Sequence, residues 1–309
     1  MTRAVPEPSV GPGRVPDLGV GPVPVPGTAH ELLPQLVRLT APNPGFMTGP
    51  GTNTYLVGRD ELAVVDPGPD DQRHRRAILD EVARRRATVR WVVVTHSHPD
   101  HAPGARALAA ATGAATIGFG HRAAGFEPDR PVDEGWVLDG GSFSLRAVHT
   151  PGHASEHLCW LLEEPSVLLS GDHVMHGSTV VIRPPDGDMA EYLTSLRRVL
   201  DLDPVLSAIA PGHGRLIGDP TAAVEAIVAH RLEREQLVAA ALTGAGTASV
   251  DQILGDVYPD VAEPLLPVAR MSLWAHLRKL EDDGRVSSTL DGELRSTDPE
   301  AELSAPWTA

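Results

Sequence analysis

The sequence predicts an α/β protein with a smaller helical module appended at its C-terminal end. Three observations carry that class. Short β-branched apolar runs alternate with helically spaced stretches between Leu36 and Pro211. Several of those runs stop at Gly or Pro-Gly followed by a His or Asp. From about Pro220 the composition turns to long Ala-, Val-, Glu- and Arg-rich helix. A length of 309 residues suits one large domain or two unequal ones. With 41% hydrophobic and 22% charged residues, the chain has the composition of ordinary globular proteins.

Taken in order, the opening stretch to Gly27 repeats Pro, Gly and Val (VGPGRVPDLGVGPVPVPG), which offers no face to bury and predicts an extended, disordered segment over residues 1–30. TNTYLVG (Thr52 to Gly58) and ELAVVDPG (to Gly68) read as paired strands. Asp71 to Arg86 carries Ala77, Ile78, Val82 and Ala83 at helical spacing. VRWVVVT (Val89 to Thr95) is too short and too β-branched for a helix and reads as a buried strand ending at His96. A short helix over Ala105–Ala111 and a strand over Ala115–Phe119 follow. SFSLRAV, LCWLL and SVLLSGD are three more strands. Asp188 with Glu191 forms a capping box that opens a helix to about Leu200, and the strand VLSAIA stops at Pro211. Residues 31–219 thus form the main domain.

Residues 220–295 form the second unit. Thr221 to Leu242 is a long helix, and Met271, Trp274, Leu277 and Leu280 share one face of another, with Gly284 as its C-cap. RVSSTLDGELRS places Asp291-Gly292 between two short runs, a strong hairpin signal. Helices followed by a hairpin resemble a winged helix. Residues 296–309 read as a frayed tail.

Composition excludes several classes. There are 26 basic against 41 acidic residues, a net charge of −15 that disfavours passive binding to nucleic acid. Within Thr221–Leu290 the balance is six basic to ten acidic, the reverse of a phosphate-gripping winged helix. One cysteine, Cys159, allows neither an intramolecular disulfide nor a cysteine-based zinc knuckle. No apolar run approaches the roughly 18 residues of a membrane helix and no signal-peptide pattern opens the chain, so no membrane partner and a cytoplasmic location are expected.

The chemistry is concentrated in T-H-S-H-P-D-H, where His96, His98, Asp100 and His101 occupy six residues directly after a strand. A rigid strand end feeding a loop restricted by Pro99 aims several side chains at one point. Four imidazole and carboxylate groups exceed the usual needs of one tetrahedral centre with an open position, which implies two adjacent metals, zinc first, with iron or manganese as alternatives. His153 after T-P-G, Asp172 after L-L-S-G and His213 after A-P-G end further strands in the same way.

The set THSHPDH, TPGH, SGD and PGH resembles the metallo-β-lactamase-fold hydrolases over about Leu36–Gly218. The resemblance implies an αββα sandwich of two mixed sheets with the site at one edge. It also implies that His96, His98 and His153 hold one zinc, that Asp100, His101 and His213 hold the second, and that Asp172 bridges them. Asp66, in VVDPG, resembles the buried acidic residue of an early strand in this superfamily and is expected to hold the far nitrogen of a ligand imidazole. NPGFMTGPGTNTYLVG (Asn43 to Gly58), AHRLEREQ (Ala229 to Gln236) and LWAHLRKLEDDGRV (Leu273 to Val286) resemble the beta-lactamase-like protein 2 group with its appended winged helix, glyoxalase II being the next neighbour. Asp172 and the strand position of Cys159 argue against the β-lactamases that use a cysteine ligand. The span from His153 to His213 has no room for the inserted cap of the nucleases.

Two such metals would make hydroxide available at neutral pH, and Asp100 is the expected catalytic carboxylate that orients it. The expected substrate is a small or acyl-carrier-bound thioester or ester. The alternatives are an endoribonuclease acting on single-stranded RNA and a metal-dependent DNA-binding regulator whose hydrolase site is vestigial. Asn53 and Tyr55 read as core, His149, His157, His173 and His176 as structural or ligand-supporting residues, and His30, His74, His121, His230 and His276 as solvated.

Overall fold

A computed structural model of the chain describes residues 15–120, 126–259, 261–290 and 299–309. After β1 (Gly19–Val20) the chain builds a seven-stranded sheet from β2 (Ala29–Leu33), β3 (Leu36–Thr40), β4 (Asn53–Gly58), β5 (Glu61–Val65), β6 (Thr88–Val93), β7 (Ala115–Phe119) and β8 (Arg130–Val132), in that spatial order. Helix α1 (Gln72–Arg85) links β5 to β6, and α2 (Gly104–Thr112) links β6 to β7. Pairing is antiparallel up to β5 and parallel beyond it, as crossover helices require.

The second seven-stranded sheet contains β9 (Val137–Asp139), β10 (Ser144–His149), β11 (Leu158–Leu162), β12 (Val167–Gly171), β13 (Ala208–Pro211) and β14 (Leu216–Ile217), ordered β1-β14-β13-β12-β11-β10-β9. Helix α3 (Met189–Leu200) spans the crossover between the parallel pair β12 and β13. Its N-cap Asp188 accepts from the backbone N–H groups of Ala190 and Glu191, as the capping signal predicts.

Strand alternation sorts the core into layers. Tyr55, Val57, Ala63, Val65 and Val93 of the first sheet face Leu145, Leu158, Trp160, Leu162 and Leu169 of the second. Their neighbours Leu56, Leu62, Val64 and Val92 turn outward onto Ile78 and Val82 of α1 and Leu108 of α2. Cys159, Leu161, Leu168 and Ile209 turn outward onto Tyr192, Leu193 and Leu196 of α3. Both faces of each sheet are therefore covered, giving helix, sheet, sheet, helix: the expected αββα sandwich.

The C-terminal unit comprises α4 (Pro220–Ala245), β15 (Thr247–Ala248), α5 (Val250–Val257), a 3-10 turn (Glu263–Leu265), α6 (Leu266–Asp282), β16 (Ser287–Ser288), α7 (Pro299–Ser304) and β17 (Trp307–Thr308). Its own core joins Leu242, Ile253, Leu273, Trp274, Leu277 and Trp307. Ala275 of α6 and Ile227 of α4 instead join the second sheet's outer cluster, so this unit is packed onto the sandwich.

Two terminal expectations need correction. The Pro/Gly-rich start is part of the fold from residue 15: Gly19 and Val20 pair with Ile217 and Leu216, and Val15 and Leu18 pack on the adjoining apolar cluster. Pro-rich chain can still supply an edge strand, because an edge needs hydrogen bonds on one side only. The last residues are not a frayed tail. β17 is the central strand of a three-stranded sheet, ordered β15-β17-β16, and Trp307 is fully buried. The hairpin expected at Asp291-Gly292 lies outside the described residues.

Candidate metal centre

Every predicted site residue follows the end of a strand, and the two sheets bring these ends to one edge. Asp66 follows β5, His96 follows β6, His153 follows β10, Asp172 follows β12 and His213 follows β13. The edge is stitched across the sheets: the Leu158 N–H donates to the Thr95 carbonyl at 2.8 Å, and Asn53 N–H to the Gly212 carbonyl at 2.7 Å. Gly212 is required by space. A Cβ there would stand 2.6 Å from Asp172 Oδ1 and 2.8 Å from His101 Cε1.

Three groups of ligand-type atoms converge: His96, His98 and His153; His96, His101 and Asp172; and Asp100, His101 and His213. His98 Nδ1 lies 3.0 Å from His96 Nε2 and 2.9 Å from His153 Nε2. Asp172 reaches both sides, with Oδ1 at 3.3 Å from His101 Nε2 and from His213 Nε2, and Oδ2 at 3.8 Å from His153 Nε2. Asp100 Oδ2 lies 3.2 Å from His213 Nε2 and 3.4 Å from His101 Nε2. Two nitrogens on one tetrahedral zinc stand about 3.3 Å apart, given Zn–N bonds of roughly 2.0–2.1 Å. The observed spacings fit shared cations.

The hydrogen bonds behind the imidazoles set their tautomers. Asp66 accepts from the Thr95 N–H (2.8 Å) and hydroxyl (2.7 Å) and from His101 Nδ1–H (2.8 Å). With its own proton committed to Asp66, the Thr95 hydroxyl accepts from His96 Nδ1–H at 2.9 Å. His153 Nδ1–H donates to the Val181 carbonyl at 2.7 Å and His213 Nδ1–H to that of Gly51 at 3.3 Å. Four imidazoles therefore have Nδ1–H committed behind them and turn Nε2 to the centre, the atom that metal ligation would use. His101 Nε2 and Asp172 Oδ1 are buried without a hydrogen-bond partner, a cost that a cation would remove. Asp66 holds this post in a left-handed backbone conformation, φ 49°, which a non-glycine residue adopts at an energetic cost.

Charge divides the centre. Burial, followed by the nearby imidazoles of His101 and His157, holds His96 well below the usual imidazole range, and burial pushes His153 down to about 4. For His101 burial is outweighed by the carboxylates of Asp172, Asp100 and Asp66, which hold it well above that range. His213 is raised to about 9 because Asp172 and Asp100 likewise outweigh its burial. Asp100 and Asp172 are held well below the carboxylate range by His101 and His213 despite desolvation. Raised imidazoles beside lowered carboxylates mark this side as one that favours positive charge, which a cation would supply. Cys159 takes no part: it is buried in β11, and burial pushes its thiol up to about 12.

Several supporting contacts escape a reading of the sequence. Glu156 accepts from the Ser97 N–H (3.0 Å) and hydroxyl (2.6 Å), clipping the His98 loop to the His153 loop. His157 Nε2 accepts from the Asp172 N–H at 3.2 Å. Thr52 donates to Asp100 Oδ2 at 3.2 Å. Asn53 and Tyr55, expected in the core, also clamp the His213 loop by donating to the Pro211 carbonyl at 3.0 and 2.7 Å. His74 and His276, expected at the surface, are buried, and His121 lies outside the described residues. Only the E-H pair after TPGHAS offered a signal for Glu156 and His157, and it does not say which backbone group each would meet.

A family model described as "Metallo-beta-lactamase superfamily" matches residues 47–213, and one described as "Beta-lactamase associated winged helix domain" matches residues 249–293. The chain belongs to the metallo-β-lactamase superfamily and carries that associated winged helix. Among its relatives, the Beta-lactamase-like protein 2 homolog of Drosophila melanogaster is 31% identical over 293 residues, 88% of this chain and 97% of its own. The Atrochrysone carboxyl ACP thioesterase of Aspergillus chevalieri is 32% identical over 284 residues, 86% and 87% of the two chains. The crystal structure of a beta-lactamase domain protein from Burkholderia ambifaria superposes with a TM-score of 0.75 at 22% identity, covering 92% of this chain and 94% of that one, a likeness of fold.

Proposed function

We propose that the protein is a metal-dependent hydrolase that cleaves an acyl-carrier-bound or other small thioester at a dinuclear, zinc-type centre. The observation that carries the reading is the convergence of the three ligand groups with Asp172 between them. His96, His98 and His153 would hold one cation, Asp100, His101 and His213 the other, and Asp172 both. When bound, such a pair supplies Lewis acidity and hydroxide at neutral pH. The chain's own groups then orient and exclude. Asp100 is the more open of the two carboxylates, its side chain 27% exposed against 12% for Asp172, so it is the one that meets an incoming water and orients it or takes its proton. Asp66 and Thr95 keep the Nε2 lone pairs aimed inward.

A thioester is favoured over RNA by the surroundings. Asn43 bonds to Thr52, which bonds to Asp100, so the loop from Asn43 to Thr52 is anchored to the centre. Its apex exposes Phe46 (81%) and Met47 (51%), apolar surface suited to an acyl chain. All six cations of Thr221–Leu290 are engaged within the protein: Arg231 with the Val180 carbonyl, Arg234 with that of Val257, Arg270 with Asp251, Arg278 with Glu302, Lys279 with Glu235 and Asp283, and Arg285 with Glu235. Little in this unit is left to displace counterions from a polyanion. The relative named as an acyl-carrier-protein thioesterase supports the same choice.

The test compares zinc-loaded protein on acyl-carrier, acyl-CoA and acyl-glutathione thioesters with single-stranded RNA at about 150 mM salt, where exposed charges are largely screened. Thioester cleavage that chelation abolishes is expected. RNA cleavage with no thioesterase activity would overturn the substrate class in favour of the nuclease.

A further inference from the structure

The AHRLEREQ stretch on α4 carries a buried arginine whose contacts lead to the metal centre. Arg231 is 2% exposed, and its guanidinium donates to the Val180 carbonyl. The next residue, Val181, offers the carbonyl that receives His153 Nδ1–H. From Asp172 to Asp188 the chain forms neither helix nor strand, so no ladder holds these carbonyls in place. Burial of Val180 and Ile182 anchors the side chains of the segment, but peptide orientation needs a donor, and Arg231 supplies it.

The same arginine lies over the ring of Tyr192, 5.6 Å from its centroid. Tyr192 in turn donates to the His173 carbonyl at 2.9 Å, and its backbone touches the His153 loop. A Cβ on Gly152, which has φ +132°, would stand 2.3 Å from Tyr192 Cα. Three and four residues along α4, Arg234 holds the Val257 carbonyl and Glu235 receives Lys279 and Arg285, all in the C-terminal unit. One helical segment therefore grips the sandwich with one side chain and the winged helix with the next.

We propose that Arg231 is a positioning residue for the metal centre: from α4 it fixes the segment whose carbonyl orients His153, so that the appended domain sets the geometry of a ligand it never touches. The inference deepens the dinuclear reading above and rests on it for the role of His153. A long apolar stem would fill the same space, but only the guanidinium supplies the donors. The substitution that isolates the donor is Arg231→Met. Arg231→Lys keeps a single compact donor group, and Arg285→Gln loosens α4 from the rest of the C-terminal unit without touching Val180.

The experiment follows cobalt(II) binding to the full chain, by absorption and by competition with a chelator, together with the His153 Nδ1–H resonance of metal-free, 15N-histidine-labelled protein. In Arg231→Met one of two cobalt ions is expected to bind at least about tenfold more weakly, the usual effect of losing a partner behind a ligand, with an altered visible spectrum and a shifted or exchange-broadened His153 signal. Arg231→Lys should fall between this and wild type, and Arg285→Gln should bind cobalt like wild type whatever its melting temperature. Wild-type affinity, spectrum and His153 signal in Arg231→Met would reduce Arg231 to packing; if that variant does not fold, the same result in Arg231→Lys overturns the proposal. If wild type takes up no cobalt, the dinuclear reading fails, while the His153 resonance in the metal-free variants still decides whether Arg231 orients the ring.

Discussion

The metal-centre edge of the sandwich and the C-terminal unit set their buried carboxylates against different partners. At the sandwich edge Asp172 Oδ1 lies 3.3 Å from His101 Nε2 and from His213 Nε2, with the ligand-type atoms of His96, His98, His153 and Asp100 crowded around them. In the C-terminal unit the buried Glu235 carries two cations, Lys279 and Arg285, each at 3.0 Å, and the fully buried Glu302 faces Arg278. Carboxylates paired with Lys and Arg serve architecture, whereas several imidazoles and carboxylates turned onto one point ask for a cation from outside the chain. The contrast locates function more sharply than burial alone, and Arg231 is where the two regions meet.

The strongest way to break the comparison is Asp172→Ala. Removing the carboxylate between the two ligand groups should lower turnover on the order of 10³-fold or more, as for other members of a catalytic unit, while cooperative unfolding persists. Near-normal activity in steady-state assays would remove Asp172 from the centre. For the C-terminal unit the matching change is Trp307→Ala, which should cost about 3–5 kcal/mol of that unit's stability in urea titrations. Cobalt affinity should hold as long as α4 stays docked; parallel loss of both would mean that the two regions are one cooperative body.

Asp66→Asn comes next. Asparagine retains one acceptor oxygen but turns a donor toward Thr95 or His101, so metal affinity should fall about 10- to 100-fold by chelator competition, with a smaller change in melting temperature. An unchanged affinity would separate Asp66 from the ligands it contacts.

The smallest expected effect tests a buried histidine outside the centre. His74 bonds Thr54 at 2.7 Å, and burial pushes its pKa down to about 4. The unfolded chain binds that proton near pH 6.5 and the folded one near 4, so stability is full above the higher value and is lost as pH falls through this window. Between pH 7 and 5, wild type should lose roughly 2 kcal/mol more than His74→Gln in urea midpoints. Equal losses would show that His74 does not sense pH.

Much of the molecule was legible in residue order. Local signals with a short physical range, such as Asp188 capping α3, the β-branched run ending at His96 and the Met271–Leu280 face of α6, correspond to observed elements. The ligand-type residues were visible because they cluster in the short loops that leave strand ends, where the chain has little freedom to point elsewhere. The burial of Trp307 was not, since a two-residue strand carries no periodicity and is held by partners some 20 to 60 residues away, Ser288 and Ala248. The same holds for Gly19 and Val20, paired with β14 nearly two hundred residues on.

The sequence by itself determined the α/β class, the appended helical unit and the residues able to ligate metal, because alternation, capping and strand-end chemistry act over a few residues, while the αββα arrangement was implied by the family resemblance of its motifs. Only the tertiary structure decided which group each of those residues meets: that Asp66 serves His96 through Thr95 and His101 directly, that His157 takes the Asp172 N–H, and that Arg231 reaches the carbonyl beside the one holding His153. Such bonds join positions from fifteen to fifty-one residues apart, apart from the adjacent Thr95–His96 pair, and those at Val180, Val181 and Asp172 engage main-chain atoms common to every residue type. A carbonyl leaves no mark in a sequence until the fold sets a donor against it.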